Sequence, residues 1–106
     1  MNNIIKQRKR KFPSVNIKIY YRGQLADLIN STTEEITIDS PISLIDLLNN
    51  LAKKKDATVN DFIFDENNNL RKSLLIAVDN NQVIDLSAMT IDRDCEITLF
   101  PPIAGG

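Results

Sequence analysis

One segment of the sequence has every signal of an amphipathic helix, and it limits the folds that the chain can adopt. Leucines recur there at the spacing of one helical face: Leu44, Leu47, Leu48 and Leu51. Ser40 is a plausible N-cap, and Pro41 fits the first turn because the N–H groups there lack partners. Three lysines at 53–55 suit the C-terminal end of the helix dipole. The rest of the chain must cover one apolar helix face.

Two segments before this helix follow the two-residue period of β-strands. Residues 15–21 (VNIKIYY) alternate apolar and polar side chains, and residues 34–39 (EEITID) place Ile36 and Ile38 on one face. We expect these strands to pair as a hairpin, with residues 22–32 as a turn and connection.

The segment that follows the helix is harder to interpret. Val59, Phe62 and Phe64 fit either a short helix or a strand, and residues 65–69 (DENNN) predict a turn. Residues 73–78 (SLLIAV) form a near-continuous apolar run, which favours a strand central to a sheet.

Turn and strand signals alternate over the last third of the chain. Residues 79–81 (DNN) predict a tight turn, because Asp and Asn tolerate the left-handed conformation. Residues 82–86 (QVIDL) are a candidate short returning strand. Residues 87–92 (SAMTID) are expected to form a loop that tucks Met89 and Ile91 inside.

The last strand is predicted at residues 95–100 (CEITLF), whose side chains alternate between two faces. Cys95 begins the inward face and is interpreted as a small buried side chain, with a redox or covalent role as the alternative. Phe100 points outward. Pro101 and Pro102 cannot donate to a β-ladder, so they end the sheet and keep the chain extended.

This order of elements predicts an α+β, β-grasp (ubiquitin-like) fold, with a mixed sheet of four to five strands packed on one main helix. The domain covers residues 13–100, and residues 101–106 form a flexible, exposed tail. Residues 1–12 contain five basic side chains and no acidic one. We expect this arm to be disordered and solvated. Loose contact with phosphates of nucleic acid or lipid is the alternative.

Composition excludes several classes of function. The chain has no His and one Cys, so it cannot build Ser/His/Asp or Cys/His catalytic sites, and no metal site is expected. Gly23 is the only internal glycine, which rules out a glycine-rich phosphate loop. No apolar run is long enough to span a membrane, and no secretory signal is present. We therefore expect a cytoplasmic protein that is not itself an enzyme.

The end of the sequence indicates what the protein does. Two of its three glycines are Gly105 and Gly106, directly after the segment FPPIA. A terminus without side chains can enter a narrow channel, where only its carboxylate remains to react. A carboxylate resists nucleophiles until its oxygen becomes a good leaving group, as adenylation by ATP would make it. The tail therefore predicts a protein that is a substrate, activated in another enzyme.

Residues 91–106 (IDRDCEITLFPPIAGG) resemble the C-terminal segment of the MoaD/ThiS family of ubiquitin-like sulfur carriers. Within that family they are most similar to the small subunit of molybdopterin synthase. The helix leucines and residues 76–83 (IAVDNNQV) extend the resemblance over roughly residues 14–106. Where the family has Gly-Asp-Glu, this chain has Asp94, Cys95 and Glu96, which leaves open any contact that the family makes through that Asp.

The resemblance implies a mechanism and its partners. A ubiquitin-activating-type adenylyltransferase, using ATP and magnesium, would adenylate Gly106, and sulfur would displace AMP to leave a thiocarboxylate. The tail would then enter the active site of a molybdopterin synthase large subunit or another sulfur acceptor enzyme. The residues implied to thread into that site are Pro101, Pro102, Ile103, Ala104, Gly105 and Gly106. Phe100 is the candidate docking residue, or else a side chain at the edge of the core. No cofactor is expected to stay bound.

Other functions remain open at this point. The same adenylate would serve a protein modifier that forms isopeptide bonds to target lysines, or a sulfur donor for tRNA thiolation. A plain β-grasp interaction module is a third hypothesis. No membrane partner is expected, and nucleic acid is not expected to be a main partner. The acidic body, including Asp94 and Glu96, predicts a basic docking face on the partner.

Overall fold

The computed structural model describes residues 13–101 of the chain. The elements in chain order are β1 (Val15–Tyr21), α1 (Gly23–Ile29), β2 (Thr33–Ile38), β3 (Ile42–Ser43), α2 (Leu44–Lys53), α3 (Ala57–Ile63), β4 (Leu75–Val78), β5 (Asn81–Gln82), a 3-10 turn (Leu86–Ala88), β6 (Thr90–Ile91) and β7 (Cys95–Phe100). No helix within this part of the chain is both long and apolar enough to cross a membrane.

The main sheet is mixed and has five strands in the order β2-β1-β7-β4-β5. β1 is antiparallel to β2 and parallel to β7, and β4 is antiparallel to both β7 and β5. β3 and β6 form a separate two-stranded ladder. The first and last long strands therefore lie side by side, which confirms the predicted β-grasp fold.

The core lies between the inner face of the main sheet and the helices. The predicted leucine stripe is confirmed, because Leu44, Leu47, Leu48 and Leu51 of α2 are all buried. They face alternate residues of the sheet, among them Ile17 and Ile19 of β1 and Ile97 and Leu99 of β7. Each such side chain contributes about 1.5–3 kcal/mol on burial. The opposite face of the sheet has no helix in the described chain and presents its side chains outward.

The predicted start of α2 was wrong by three residues. Ser43, and not Ser40, is the N-cap, and its hydroxyl accepts the backbone N–H of Asp46 at 3.1 Å. The chain cannot turn helical earlier because Ile42 and Ser43 pair with β6 as an extended ladder. Ile91, the partner of Ile42, is buried there as predicted.

Residues 22–32 contain a helix where only a connection was predicted. α1 buries Leu25 completely, and it ends at Asn30, whose φ of 62° is left-handed. Two helical turns offer too few residues for a clear period, so tertiary packing decides this segment. The ambiguous segment after α2 is also helical: Asp56 caps α3 by accepting the N–H of Val59 at 3.2 Å.

The strand predicted to be central, β4, is not the central one. β7 occupies the middle of the sheet, and β4 lies between β7 and the two-residue β5. Leu75 is therefore 49 % exposed on the outer face, whereas Ile76 is buried on the inner face. The predicted tight turn is confirmed, since Asp79 and Asn80 both have positive φ. The returning strand is Asn81–Gln82, so it overlaps the predicted segment 82–86 only at Gln82.

A polar cluster at the edge of the core joins β1, β2 and the end of α2. The hydroxyl of buried Tyr21 donates to Oε1 of Glu34 at 2.7 Å, and Nζ of Lys55 lies 2.8 Å from the same oxygen. Burial alone would raise the pKa of Glu34, but the hydrogen bonds from Lys55 and Tyr21 together lower it below its ordinary value of 4.5. Burial, and then Glu34, raise the pKa of Tyr21.

The stability that Glu34 provides should depend on pH. Its pKa is lower in the folded than in the unfolded chain, so the stabilisation is complete above the unfolded pKa and is lost as pH falls through the folded pKa. We expect Glu34→Gln to lower the free energy of unfolding by about 1 kcal/mol at pH 7 and by much less in acid. Urea titrations from neutral to acidic pH measure this. Exposed Glu35→Gln on the same strand is the control; a pH-independent loss in Glu34→Gln would contradict the assignment.

Candidate functional site

The candidate site begins where β7 ends, at Phe100 and Pro101. Phe100 is the last residue of the strand and is 40 % exposed, and Pro101 is half-buried. The ladder stops there as predicted, since proline has no N–H to donate. The other predicted tail residues, Pro102, Ile103, Ala104, Gly105 and Gly106, lie outside the described residues, as does the basic arm at 1–12.

The strand that leads to the tail is held on both sides. Leu99 of β7 is paired with Tyr21 of β1 and with Ile76 of β4. The backbone N–H of Arg22 donates to the carbonyl of Leu99 at 3.2 Å, just beyond the end of β1. The tail therefore starts from the middle of the sheet, from a strand that its neighbours fix in place.

An exposed apolar surface lies beside the start of the tail on the outer face of the sheet. Leu75 of β4 is directly opposite Phe100 in the antiparallel register, and both side chains are more than one-third exposed. Thr98, two residues earlier on β7, is on the same face of the strand but is only 9 % exposed. We name these three residues the tail-side patch. Adjacent exposed apolar side chains are typical of a protein-docking surface.

Polar and cationic groups border the tail-side patch on β1. Tyr20 is paired with Thr98, and its hydroxyl donates to Oε2 of Glu96 at 3.3 Å. Nζ of Lys18 lies 5.3 Å from the centroid of the Tyr20 ring, and Cζ of Arg22 lies 5.5 Å from it. This border combines an aromatic ring, two cations and the Glu96 carboxylate, so it can make apolar and charged contacts of either sign with a partner.

The acidic residues at the other end of β7 have structural partners. Oδ1 of Asp94 accepts the N–H of Asn16 at 2.8 Å, and Oδ1 of Asp79 accepts the N–H of Glu96 at 2.9 Å. These bonds anchor the starts of the two parallel strands and the β4–β5 turn. The predicted contact of Asp94 and Glu96 with a basic partner stays a prediction, and any such contact would use carboxylates that already bond within the fold.

Cys95 is half-buried at the start of β7, in agreement with its interpretation as a packing residue. Burial, followed by the negative charge of Asp79, raises the pKa of its thiol to about 11. Since the thiolate is the nucleophilic form, this environment disfavours covalent chemistry near neutral pH.

Sequence reasoning missed two residues of this site. Leu75 was assigned to a strand central to the sheet, and its exposure beside Phe100 is seen only in the structure. Gly23 was noted only as an internal glycine, yet it lies next to Pro101. Its position two residues after the end of a predicted strand was the available signal, because a lone glycine there often permits an unusual turn.

Comparisons with known proteins agree with this geometry. The model of the ThiS family matches residues 19–106. The structure of SAMP1 from Haloferax volcanii is similar, with a TM-score of 0.72 and 21% identity over 86% of this chain and 99% of that one. A putative molybdopterin converting factor, subunit 1, from Pyrococcus furiosus has a TM-score of 0.63 and 22% identity, over 84% of this chain and 99% of that one. The structure of Urm1 from Sulfolobus solfataricus has a TM-score of 0.58 and 20% identity, over 79% of this chain and 97% of that one. A comparison with curated protein sequences finds no match.

Proposed function

Because the chain belongs to the ThiS family, we propose that it is a ubiquitin-like sulfur carrier whose C-terminal Gly106 is activated and converted to a thiocarboxylate. The sulfur would go to molybdopterin synthesis. The observation that supports the proposal is the place where the sheet ends. Its central strand, β7, stops at Phe100 within the tail-side patch, and Pro101 follows directly, so a partner that binds this patch would lie at the start of the segment that carries Gly106.

The proposed chemistry proceeds in two displacements at the terminus. A carboxylate oxygen of Gly106 would attack the α-phosphorus of ATP in the activating enzyme, and pyrophosphate would leave. The magnesium used by that enzyme would offset the negative charge of the phosphates. Hydrosulfide, supplied by a partner, would then attack the carbonyl carbon of Gly106; the C–S bond forms, the C–O bond to the phosphate breaks, AMP leaves, and loss of the sulfur proton gives the thiocarboxylate. The product retains one oxygen and gains one sulfur, and a second enzyme would accept that sulfur.

The residues around the start of the tail fit a substrate better than a catalyst. Leu75, Thr98 and Phe100 offer no general base, and the nearest thiol, Cys95, lies at the opposite end of β7 with a raised pKa. We therefore assign catalysis to the partners: the ubiquitin-activating-type adenylyltransferase and, later, a molybdopterin synthase large subunit. Both would dock on the tail-side patch in turn.

A second candidate function is protein modification. The structural similarity to SAMP1, described as a small archaeal modifier protein, favours it. The same Gly106 adenylate would then pass to lysines of target proteins and form isopeptide bonds. Sulfur transfer to tRNA is a third use of the same intermediate, and it differs from the main proposal only in the acceptor.

Intact masses of the protein from its native cells, together with a blot for larger conjugates, separate these functions. We expect a species heavier by the exchange of one oxygen for sulfur, located at Gly106, and no ladder of conjugates. A ladder that disappears when Gly106 is deleted would identify a modifier instead. If neither product is found, the sulfur carrier proposal is wrong.

A further inference from the structure

The first residue of α1 lies against the residue at which the described tail begins. A Cβ atom placed on Gly23 would lie 3.5 Å from Cγ of Pro101 and 3.9 Å from its Cδ. The Pro101 ring therefore rests beside a backbone segment that has no side chain. Gly23 is also the one glycine of the sequence that is distant from Gly105 and Gly106.

The backbone at Gly23 explains why glycine is needed there. Its φ of +55° is a conformation that side chains make unfavourable. This conformation lets the chain pass from the end of β1 at Tyr21 into α1 with only Arg22 between them. The N–H of Arg22 is bonded to Leu99, so this turn is attached to the end of β7 itself.

We propose that Gly23 is a positioning residue, which seats the Pro101 ring and thereby sets the direction in which the tail leaves the sheet. A separation of 3.5 Å is an ordinary contact, so a methyl group alone would fit. The effect arises from the backbone: an alanine is strained at this φ, and when the turn relaxes, the surface under the ring moves. The inference rests on the proposed function in one respect, namely that the direction of the tail matters for activation.

The test compares two substitutions that place alanine at a left-handed backbone position in different parts of the fold. Asn68 has a φ of 62° in the turn before β4, far from the tail in the sequence. ATP–pyrophosphate exchange by the activating enzyme from the same cells is measured for both variants. We expect Gly23→Ala to lower kcat/KM about tenfold or more, mainly through kcat, because an error of about 1 Å in placing a reactant can cost up to about a hundredfold. Asn68→Ala should retain the wild-type rate.

A double-mutant cycle tests whether Gly23 acts through Pro101. If it does, Gly23→Ala combined with Pro101→Ala should cost no more than the larger of the two single effects. Additive losses would overturn the proposal. Equal rates for Gly23→Ala and Asn68→Ala would overturn it as well.

A measurement without the enzyme separates this inference from the proposed function. Nuclear Overhauser contacts between the Hα protons of Gly23 and the ring protons of Pro101 should be present in the wild type and in Asn68→Ala, and lost in Gly23→Ala. Contacts that persist in Gly23→Ala would show that glycine is not needed to seat the ring. If the wild-type protein supports no exchange, the proposed function fails, while these contacts still decide the role of Gly23.

Discussion

Deletion of Gly106 is expected to lower adenylate formation at the terminus by more than about a hundredfold. The tail starts at Pro101, next to a strand held by β1 and β4, so its reach is fixed by its length. One residue fewer shortens that reach by up to about 3.6 Å. The carboxylate of Gly105 would then stop short of the phosphorus that it must attack. ATP–pyrophosphate exchange with the activating enzyme measures the loss.

The stability of the truncated protein is the control for this deletion. The deleted residue follows the last residue of β7, Phe100, by six positions in the sequence, and the described core is built from residues that precede it. We therefore expect the urea midpoint to stay at the wild-type value. A truncated protein that is activated at the wild-type rate would show that the terminus is not the reacting group, and would favour the interaction module among the hypotheses above.

The second large effect is expected at the tail-side patch. Substitution of Phe100 or Leu75 by serine should raise the Kd for the activating enzyme about 25-fold, since aromatic and aliphatic anchors at the centre of an interface commonly contribute about 2 kcal/mol or more. Both side chains are already exposed in the free protein, so the substitutions remove little from the core. Isothermal titration calorimetry gives the two affinities.

Leu28 offers a matched control for the patch substitutions. It is 42 % exposed and apolar, but it belongs to α1, whose Leu25 packs into the core on the inner side of the sheet, whereas Phe100 and Leu75 lie on the outer face. Leu28→Ser should therefore bind the activating enzyme as the wild type does. A loss of affinity in Leu28→Ser as large as that in Phe100→Ser would mean that the patch has no special role in docking.

The sequence could predict those elements in which the spacing of apolar residues repeats over enough consecutive positions to show a period. β1 alternates over seven residues and α2 has its leucine stripe over two turns, so both were identified by period alone. The end of the sheet at Phe100 could be predicted because Pro101 has no backbone N–H to donate to a ladder. The outward direction of Phe100 also followed from strand alternation, and it is confirmed.

What sequence could not predict depends on pairing between distant segments. Ser43 became the cap because the ladder with β6, almost fifty residues later, keeps Ile42 extended. Leu75 is exposed because it points to the outer face of the sheet, beside Phe100, where no helix of the described residues packs. The contact between Gly23 and Pro101 likewise joins the turn after the first strand to the residue that follows the last strand. No local period encodes such contacts, so these parts of the site required the structure.

The parallel pairing of β1 with β7 has a consequence for the synthesis of this protein. Ile17 pairs with Cys95, so the ribosome must add 78 residues after Ile17 before this partner of the first strand exists. Contacts this distant in sequence make folding slow and keep an incomplete chain from closing its sheet. The tail-side patch, which combines β4 with β7, cannot exist on an unfinished chain. Activating enzymes that recognise this patch would therefore act only on molecules whose synthesis and folding have both reached β7.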